Sequence, residues 1–227
     1  KQLQQATAVV LSDYGKGVLD DKTIKAIIEA AREKNIPIIV DPMVRDFSRY
    51  RGASVVSPNR KELWEATGMG TDGDDQIEAA SWNIIDTCGI EAVVATRSEE
   101  GLSIVSGTGV IKHMPTEAKE IWDVSGAGDT VVANLAAAIG LDPELEFDER
   151  LTRSAAIANM AGGIVVSKVG TATCTRDELS AALTQHSRTA ARHQKMVTLP
   201  EALDQITKWR RQGLRVGFTN GCFDILH

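Results

Sequence analysis

The sequence predicts an α/β fold built on a mainly parallel sheet, and three observations carry that prediction. Residues 8–40 read strand, helix, strand, the unit whose crossover helix makes neighbouring strands parallel. Polar residues, Asp13 and Asp41, follow the apolar strands directly, where α/β folds gather their ligand sites. The stretch Asp123-Val124-Ser125-Gly126-Ala127-Gly128-Asp129-Thr130 then sets three small residues between two aspartates, just ahead of an apolar helical run at 131–139. Small residues let a backbone bend sharply and approach a ligand closely. The N–H groups and positive dipole end of the following helix make such a turn an anion site. Asp129 falls in the first helical turn, placed to take a proton from a substrate hydroxyl, and the pair suggests phosphoryl transfer. The structural alternative is a tight turn with an Asp helix cap.

The 227 residues suffice for one large domain, or one domain and part of another, and a hydrophobic share of 43% supports a substantial core. Lys and Arg number 25 against 31 Asp and Glu, a net charge of −6. That balance argues against nucleic acid or an anionic membrane surface as the main partner. Cys88, Cys174 and Cys222 are far apart and form no C-x-x-C, so reduced thiols in a cytoplasmic protein are expected. No apolar leader opens the chain, and the apolar stretches at 131–141 and 155–166 are too short and interrupted to span a bilayer. Lys1 stands first rather than Met and the chain stops at His227, which predicts a piece of a longer protein.

Residues 8–11 form a short strand ending in Ser12-Asp13-Tyr14-Gly15-Lys16-Gly17. A helix over 21–34 puts Ile24, Ile27, Ile28 and Ala31 on one face, and 36–40 is a buried strand ending in Asp41-Pro42. Asp13 and Asp41 are site candidates, with turn-capping as the alternative for each. Residues 54–57 make the next strand, and Pro58-Asn59-Arg60-Lys61-Glu62 opens a helix. Asn59 fits an N-cap and Glu62 its capping-box partner. The same pair at one helix start also suits a hydrated magnesium ion beside nucleotide phosphates.

A polar turn at 70–74 leads to a helix over 75–87. A strand at 92–95 runs into Thr96-Arg97-Ser98-Glu99-Glu100-Gly101, and strands at 102–106 and 110–114 flank Gly107-Thr108-Gly109, a hairpin signal. His113 reads as structural, with no catalytic partner evident. Residues 148–166 read as a long helix rich in Ala and Gly, with Gly162 and Gly163 suiting either close packing or a flat ring. A closing helix at 175–183, capped by Thr175, precedes a polar, basic stretch at 185–196 that reads as an exposed linker. A helix from 199 to about 211 and a strand over 214–219 follow.

The string Asp123–Thr130 resembles the signature of the ribokinase-like (PfkB) carbohydrate kinases. Ser57-Pro58-Asn59-Arg60-Lys61-Glu62 resembles that family's second hallmark, N-x-x-E, and no Walker A loop is present. The resemblance implies a three-layer α/β/α sandwich, with residues 1–184 its C-terminal part. It implies that Asp129 is the catalytic base and that the amides of Gly126, Ala127 and Gly128 form the anion hole. Asn59 and Glu62, with Arg60 and Lys61 between them, become the ATP- and magnesium-phosphate group. Thr96, Gly101, Asn159 and Gly170 become nucleotide contacts, and Asp13, Lys16 and Asp41 fall on the substrate side. The implied cofactors are ATP and Mg2+, the metal carried by ATP without direct protein ligands. A monovalent cation, K+, is implied near Asp123 and Gly170. Met43 stands where relatives carry a Lys, with Arg45 as the substitute phosphate contact.

The ending, Asn220-Gly221-Cys222-Phe223-Asp224-Ile225-Leu226-His227, resembles the opening of the cytidylyltransferase-like nucleotidyltransferases. That implies a linker at 185–198 and, over 199–227, the first helix and strand of a Rossmann-like domain. Gly221, Phe223, Asp224 and His227 would form its nucleotide site. Kinase, linker and nucleotidyltransferase in this order resemble the bifunctional heptose-7-phosphate kinase/heptose-1-phosphate adenylyltransferase family, as do residues 11–17 and 46–52. The resemblance implies ATP-dependent phosphorylation of D-glycero-D-manno-heptose 7-phosphate at the anomeric hydroxyl, then ADP-heptose formation for the lipopolysaccharide core. It also implies small-molecule partners and a homodimer of the full-length protein. The family's glycine-rich sugar-binding segment and lid are not among these 227 residues, so the chain alone is expected to be inactive. The alternatives are a kinase for another sugar or sugar phosphate, and a non-catalytic nucleotide-binding scaffold.

Overall fold

The computed structural model describes residues 2–116, 126–193 and 199–217. The chain divides into two compact units, residues 1–183 and 184–227. In the first, strands β1 (Val9–Ser12), β2 (Ile38–Asp41), β3 (Val55–Val56), β4 (Ala92–Thr96), β5 (Leu102–Ser106) and β6 (Ile111–Met114) form one sheet in sequential order. β1 to β4 are parallel, while β4–β5 and β5–β6 are antiparallel. Register pairs Val9 with Ile38 and Ser12 with Asp41, so the polar ends of β1 and β2 emerge side by side.

Helices α1 (Asp21–Arg32), α2 (Arg60–Thr67) and α3 (Asp74–Cys88) precede α4 (Ala127–Ile139), α5 (Phe147–Val166), α6 (Arg176–His193) and α7 (Leu199–Arg211). Side chains alternate across a strand, and here the alternation separates two cores. Ile38, Val40, Val56, Val93 and Ala95 pack with Ile24 and Ile28 of α1, Leu63 of α2, and Ile77 and Ile84 of α3. Ile39, Val55, Val94 and Ile104 pack on the opposite face with Val131, Leu135 and Ile139 of α4 and Leu151, Ala155 and Ala158 of α5. The result is the expected three-layer α/β/α sandwich. A strand covered on both faces reads as a continuous apolar run, which is why 38–40 is Ile-Ile-Val.

Local chemistry fixes the helix starts. Asp20 caps α1 by accepting from the Thr23 N–H at 2.7 Å. Asn59 and Glu62 close a full capping box on α2: Asn59 Oδ1 accepts from the Glu62 N–H at 2.9 Å, and Glu62 Oε2 from the Asn59 N–H at 2.8 Å. Thr175 and Glu178 repeat the arrangement before α6. α3, α4 and α5 start without a side-chain cap, and α4 alone among them begins at a glycine in the left-handed conformation, Gly126 with φ +78°.

Two expectations are corrected. Residues 185–193, read as linker, continue α6 to His193, because Gln185, Arg188, Ala190, Ala191 and Arg192 favour helix and neither Gly nor Pro interrupts them. Residues 214–217, read as the start of a strand, carry no strand structure. A strand is defined by its pairing, and among the described residues none pairs with this one. The rest of that segment, including Gly221, Phe223, Asp224 and His227, lies outside the described residues, as do Asp123 to Ser125. No helix among the described residues is long and apolar enough to cross a membrane.

Candidate active site

The ends of β1, β2 and β4, the starts of α2 and α4, and one face of α5 surround a cleft of about 600 Å³. In a parallel sheet the carboxyl ends of the strands point to one edge, so residues far apart in sequence converge there. Asp13, Asp41, Asn59, Arg60, Lys61, Glu62, Thr96, Gly101, Ala127, Gly128, Asp129 and Asn159 all line the cleft. Lys16 is exposed outside it. Gly126 and Gly170 do not line it; an added Cβ on Gly126 would stand 3.5 Å from Thr171 Cγ2, in the turn that carries Gly170.

Asp129 sits in the first turn of α4, exposed to the cleft, and its Oδ1 accepts a hydrogen bond from the Tyr14 hydroxyl at 3.3 Å. Beside it, at the end of β2, Asp41 accepts from Ser12 Oγ at 3.4 Å. Burial, and then the Asp129 charge, push Asp41 above its ordinary value of 3.8. Glu62 is also pushed up, first by burial, against the opposing pull of the Asn59 N–H, with the Asp41 charge adding. The cleft floor is therefore a set of carboxylates that repel one another and attract cationic groups. Among the described residues no three acidic, His or Cys side chains come together as a metal cage.

Asp13, though it lines the cleft, is tied into the scaffold. It is buried, and its carboxylate accepts from the Gly15 N–H at 2.9 Å and the Tyr50 hydroxyl at 2.7 Å, with Arg49 Nη1 at 3.4 Å. These contacts shape the turn that carries Tyr14. Asn159 is similarly committed, donating Nδ2–H to the Pro115 carbonyl at 2.8 Å. Gly162 serves close packing, since a Cβ there would meet Val131 Cγ2 at 3.0 Å, and it lines the cleft as well. Met43 is exposed on the cleft wall, while Arg45 is engaged by Glu65 at 3.6 Å.

The raised Asp41 gives a pH-dependent prediction. A carboxyl raised in the fold holds its proton where the unfolded chain has lost it, so stability falls as pH climbs from 3.8 through the raised value and stays reduced above it. Asp41→Asn removes that unfavourable charge. Thermal unfolding should show a higher Tm than wild type at pH 7 and a shrinking difference on acidification. A lower Tm at pH 7 contradicts the account of Asp41.

The pfkB family carbohydrate kinase pattern matches residues 1–178. The chain belongs to the pfkB carbohydrate kinase family. It is 51% identical over 226 residues to the bifunctional protein HldE of Rhodospirillum rubrum, covering all of this chain and 44% of that protein. It is 50% identical over 225 residues to the HldE of Paramagnetospirillum magneticum, 99% of this chain and 45% of that one. The chain thus spans less than half the length of these relatives. Among solved structures it resembles an Arabidopsis thaliana ribokinase complexed with ribose and ATP, with a TM-score of 0.66 and 22% identity over 80% of this chain and 57% of that one. It also resembles phosphofructokinase-2 of Escherichia coli in complex with potassium, with a TM-score of 0.67 and 20% identity over 82% and 60%. At such identities the likeness to these solved structures concerns the fold.

Several cleft residues escaped sequence reasoning. Tyr14 reaches Asp129 across 115 positions, and nothing local in either segment signals the pairing. Ser98, on the cleft wall, has a positive φ of 54° that the sequence does not announce. His113, read as lacking a partner, has Ser103 Oγ at 2.8 Å from Nδ1 and Glu78 Oε1 at 2.9 Å from Nε2. It sits in a polar cluster with Ser103, Glu78 and Arg97.

Proposed function

We propose that this chain forms the ATP-binding, base-bearing part of a kinase that phosphorylates D-glycero-D-manno-heptose 7-phosphate at its anomeric hydroxyl, giving the 1,7-bisphosphate. Its second unit opens an adenylyltransferase that makes ADP-heptose from heptose 1-phosphate. The observation that carries the kinase reading is the start of α4. Its N-terminal amides have no side-chain cap, and Asp129 stands among them on the same cleft as the Thr96–Gly101 turn. The heptose assignment is supported by identity of about half to two HldE proteins across essentially the whole chain.

The residues fit the groups the reaction needs. Uncapped amides at Ala127 and Gly128 suit an anion, and their dipoles stabilise negative charge without reorganising. Gly162 and Gly163 leave a smooth wall on α5 for an adenine ring. Asn59, Arg60, Lys61 and Glu62 would hold the phosphates and, through water, magnesium; with no cage of direct ligands among the described residues, the metal would arrive with the nucleotide. When bound, Mg-ATP supplies the phosphoryl group and neutralises charge on its oxygens.

Asp129 then takes the proton of the attacking hydroxyl, with Tyr14 holding the carboxylate by its hydrogen bond. Asp41 presents a second carboxylate to the sugar side of the same space. A monovalent cation near Asp123 and Gly170 would support the anion site. The second nucleotide site would use Gly221, Phe223, Asp224 and His227. In this reading both activities belong to a cytoplasmic, homodimeric full-length protein, and the chain alone does not turn over sugar.

The test is ADP release by the full-length protein with heptose 7-phosphate, fructose 6-phosphate and ribose supplied separately. Selective turnover of the heptose phosphate, with the new phosphate on the anomeric carbon, is the expected result. Preference for fructose 6-phosphate or ribose would replace the heptose assignment while keeping the kinase.

A further inference from the structure

Arg60, on the cleft wall, meets Glu100 from a different element: Arg60 opens α2, and Glu100 ends the short 3-10 turn Ser98–Glu100 after β4. Nη2 of Arg60 forms an ion pair with Glu100 Oε2. The contact lies off the line of a hydrogen bond, and Arg60 Nε is buried with no hydrogen-bond partner among the described residues. Arg60 is therefore held by charge and is not fully coordinated.

Glu100 has a second cation behind it. Arg97 is only 4% exposed, and its Nη2 donates to the same Glu100 oxygen. The Arg97 guanidinium is fixed in turn by Asp74 Oδ1 at 2.5 Å and Ser103 Oγ at 3.0 Å, both accepting from Nη1. One carboxylate thus stands between a locked guanidinium in the protein and a second one on the cleft wall whose Nε has no hydrogen-bond partner among the described residues. If Arg60 leaves, Arg97 still donates to Glu100, whose half-exposed carboxylate is also open to solvent.

We propose that Glu100 is a positioning residue that competes with the nucleotide's phosphates for Arg60. It holds Arg60 at the edge of the cleft, and the polyphosphate takes Arg60 over on binding while Arg97 keeps Glu100 in place. This deepens the nucleotide reading of the cleft and rests on it. An exchange of one anionic partner for another makes affinity depend on phosphate charge and not on the base or ribose.

The experiment titrates ATP and adenosine separately into the chain, as wild type and as Glu100→Gln, Arg60→Gln and the double variant. Glu100→Gln keeps an acceptor for Arg97 but removes the competing charge, so ATP should bind about 3- to 10-fold more tightly, with the gain fading at high salt. Adenosine affinity should not change. Arg60→Gln should weaken ATP about 10-fold and leave adenosine unaffected. The double variant should match Arg60→Gln, because the effect of Glu100 acts through Arg60. ATP binding that is indifferent to Glu100→Gln, or that shifts in parallel with adenosine, overturns this inference alone. Failure of wild type to bind ATP at all overturns the nucleotide reading and this inference with it.

Discussion

Asp129→Asn in the full-length protein is expected to lower phosphoryl transfer by about 10²- to 10⁴-fold, the usual contribution of a positioned general base. Asparagine keeps the size of the side chain and an oxygen to accept from Tyr14, but it has no basic carboxylate to take the hydroxyl proton. Asp129 lies in the first turn of α4, exposed to the cleft and outside both cores, so the fold should survive the change. ATP affinity should hold or rise slightly, because one negative charge leaves the neighbourhood of the phosphates. Steady-state turnover and ATP titration on the same preparation check both halves. Unchanged turnover would sink the assignment of Asp129 as the base.

Gly101→Ala should cost about 3 kcal/mol or more of stability and disable the nucleotide side of the cleft. Gly101 has φ +87°, and an added Cβ would stand 2.1 Å from the Met114 carbonyl oxygen and 2.6 Å from the Thr116 N–H nitrogen. Both are backbone atoms, so relief requires the exit from β6 to move. The same turn carries Thr96 and Ser98 on the cleft wall, closed by the Arg97 N–H to Gly101 carbonyl bond at 2.8 Å. Gly109 is the control: its φ is +100° but nothing lies within 4 Å of an added Cβ. Gly109→Ala should show backbone strain alone, about 1 kcal/mol. Chemical denaturation of the two variants separates the effects, and equal losses would refute the role given to the Met114–Thr116 backbone.

What the sequence made legible was what short-range physics writes locally. Ile38-Ile39-Val40 encodes a strand covered on both faces, and the structure divides Ile38 and Val40 from Ile39 between two cores. The capping box at Asn59 and Glu62 is complete within four residues, and the structure forms it. The small residues ahead of Asp129 announce an uncapped helix start, which Gly126 provides.

The pairings that depend on the whole fold were not legible. Tyr50 meets Asp13 across 37 positions, and that contact ties a substrate-side candidate into the support of a turn. Arg97 reads as one residue of a polar loop, yet it is buried because Asp74 and Ser103 receive it. The tail of α6 was misread because a polar, basic composition does not distinguish a helix from a linker; the absence of Gly and Pro was the better signal.

The most direct test of the central claim is a crystal structure of this chain with a non-hydrolysable ATP analogue and magnesium. The terminal phosphate is predicted within hydrogen-bonding distance of the Gly126 to Gly128 amides, beside Asp129, with adenine against Gly162 and Gly163 of α5. An analogue bound elsewhere, or with its phosphates turned away from the start of α4, would contradict the account.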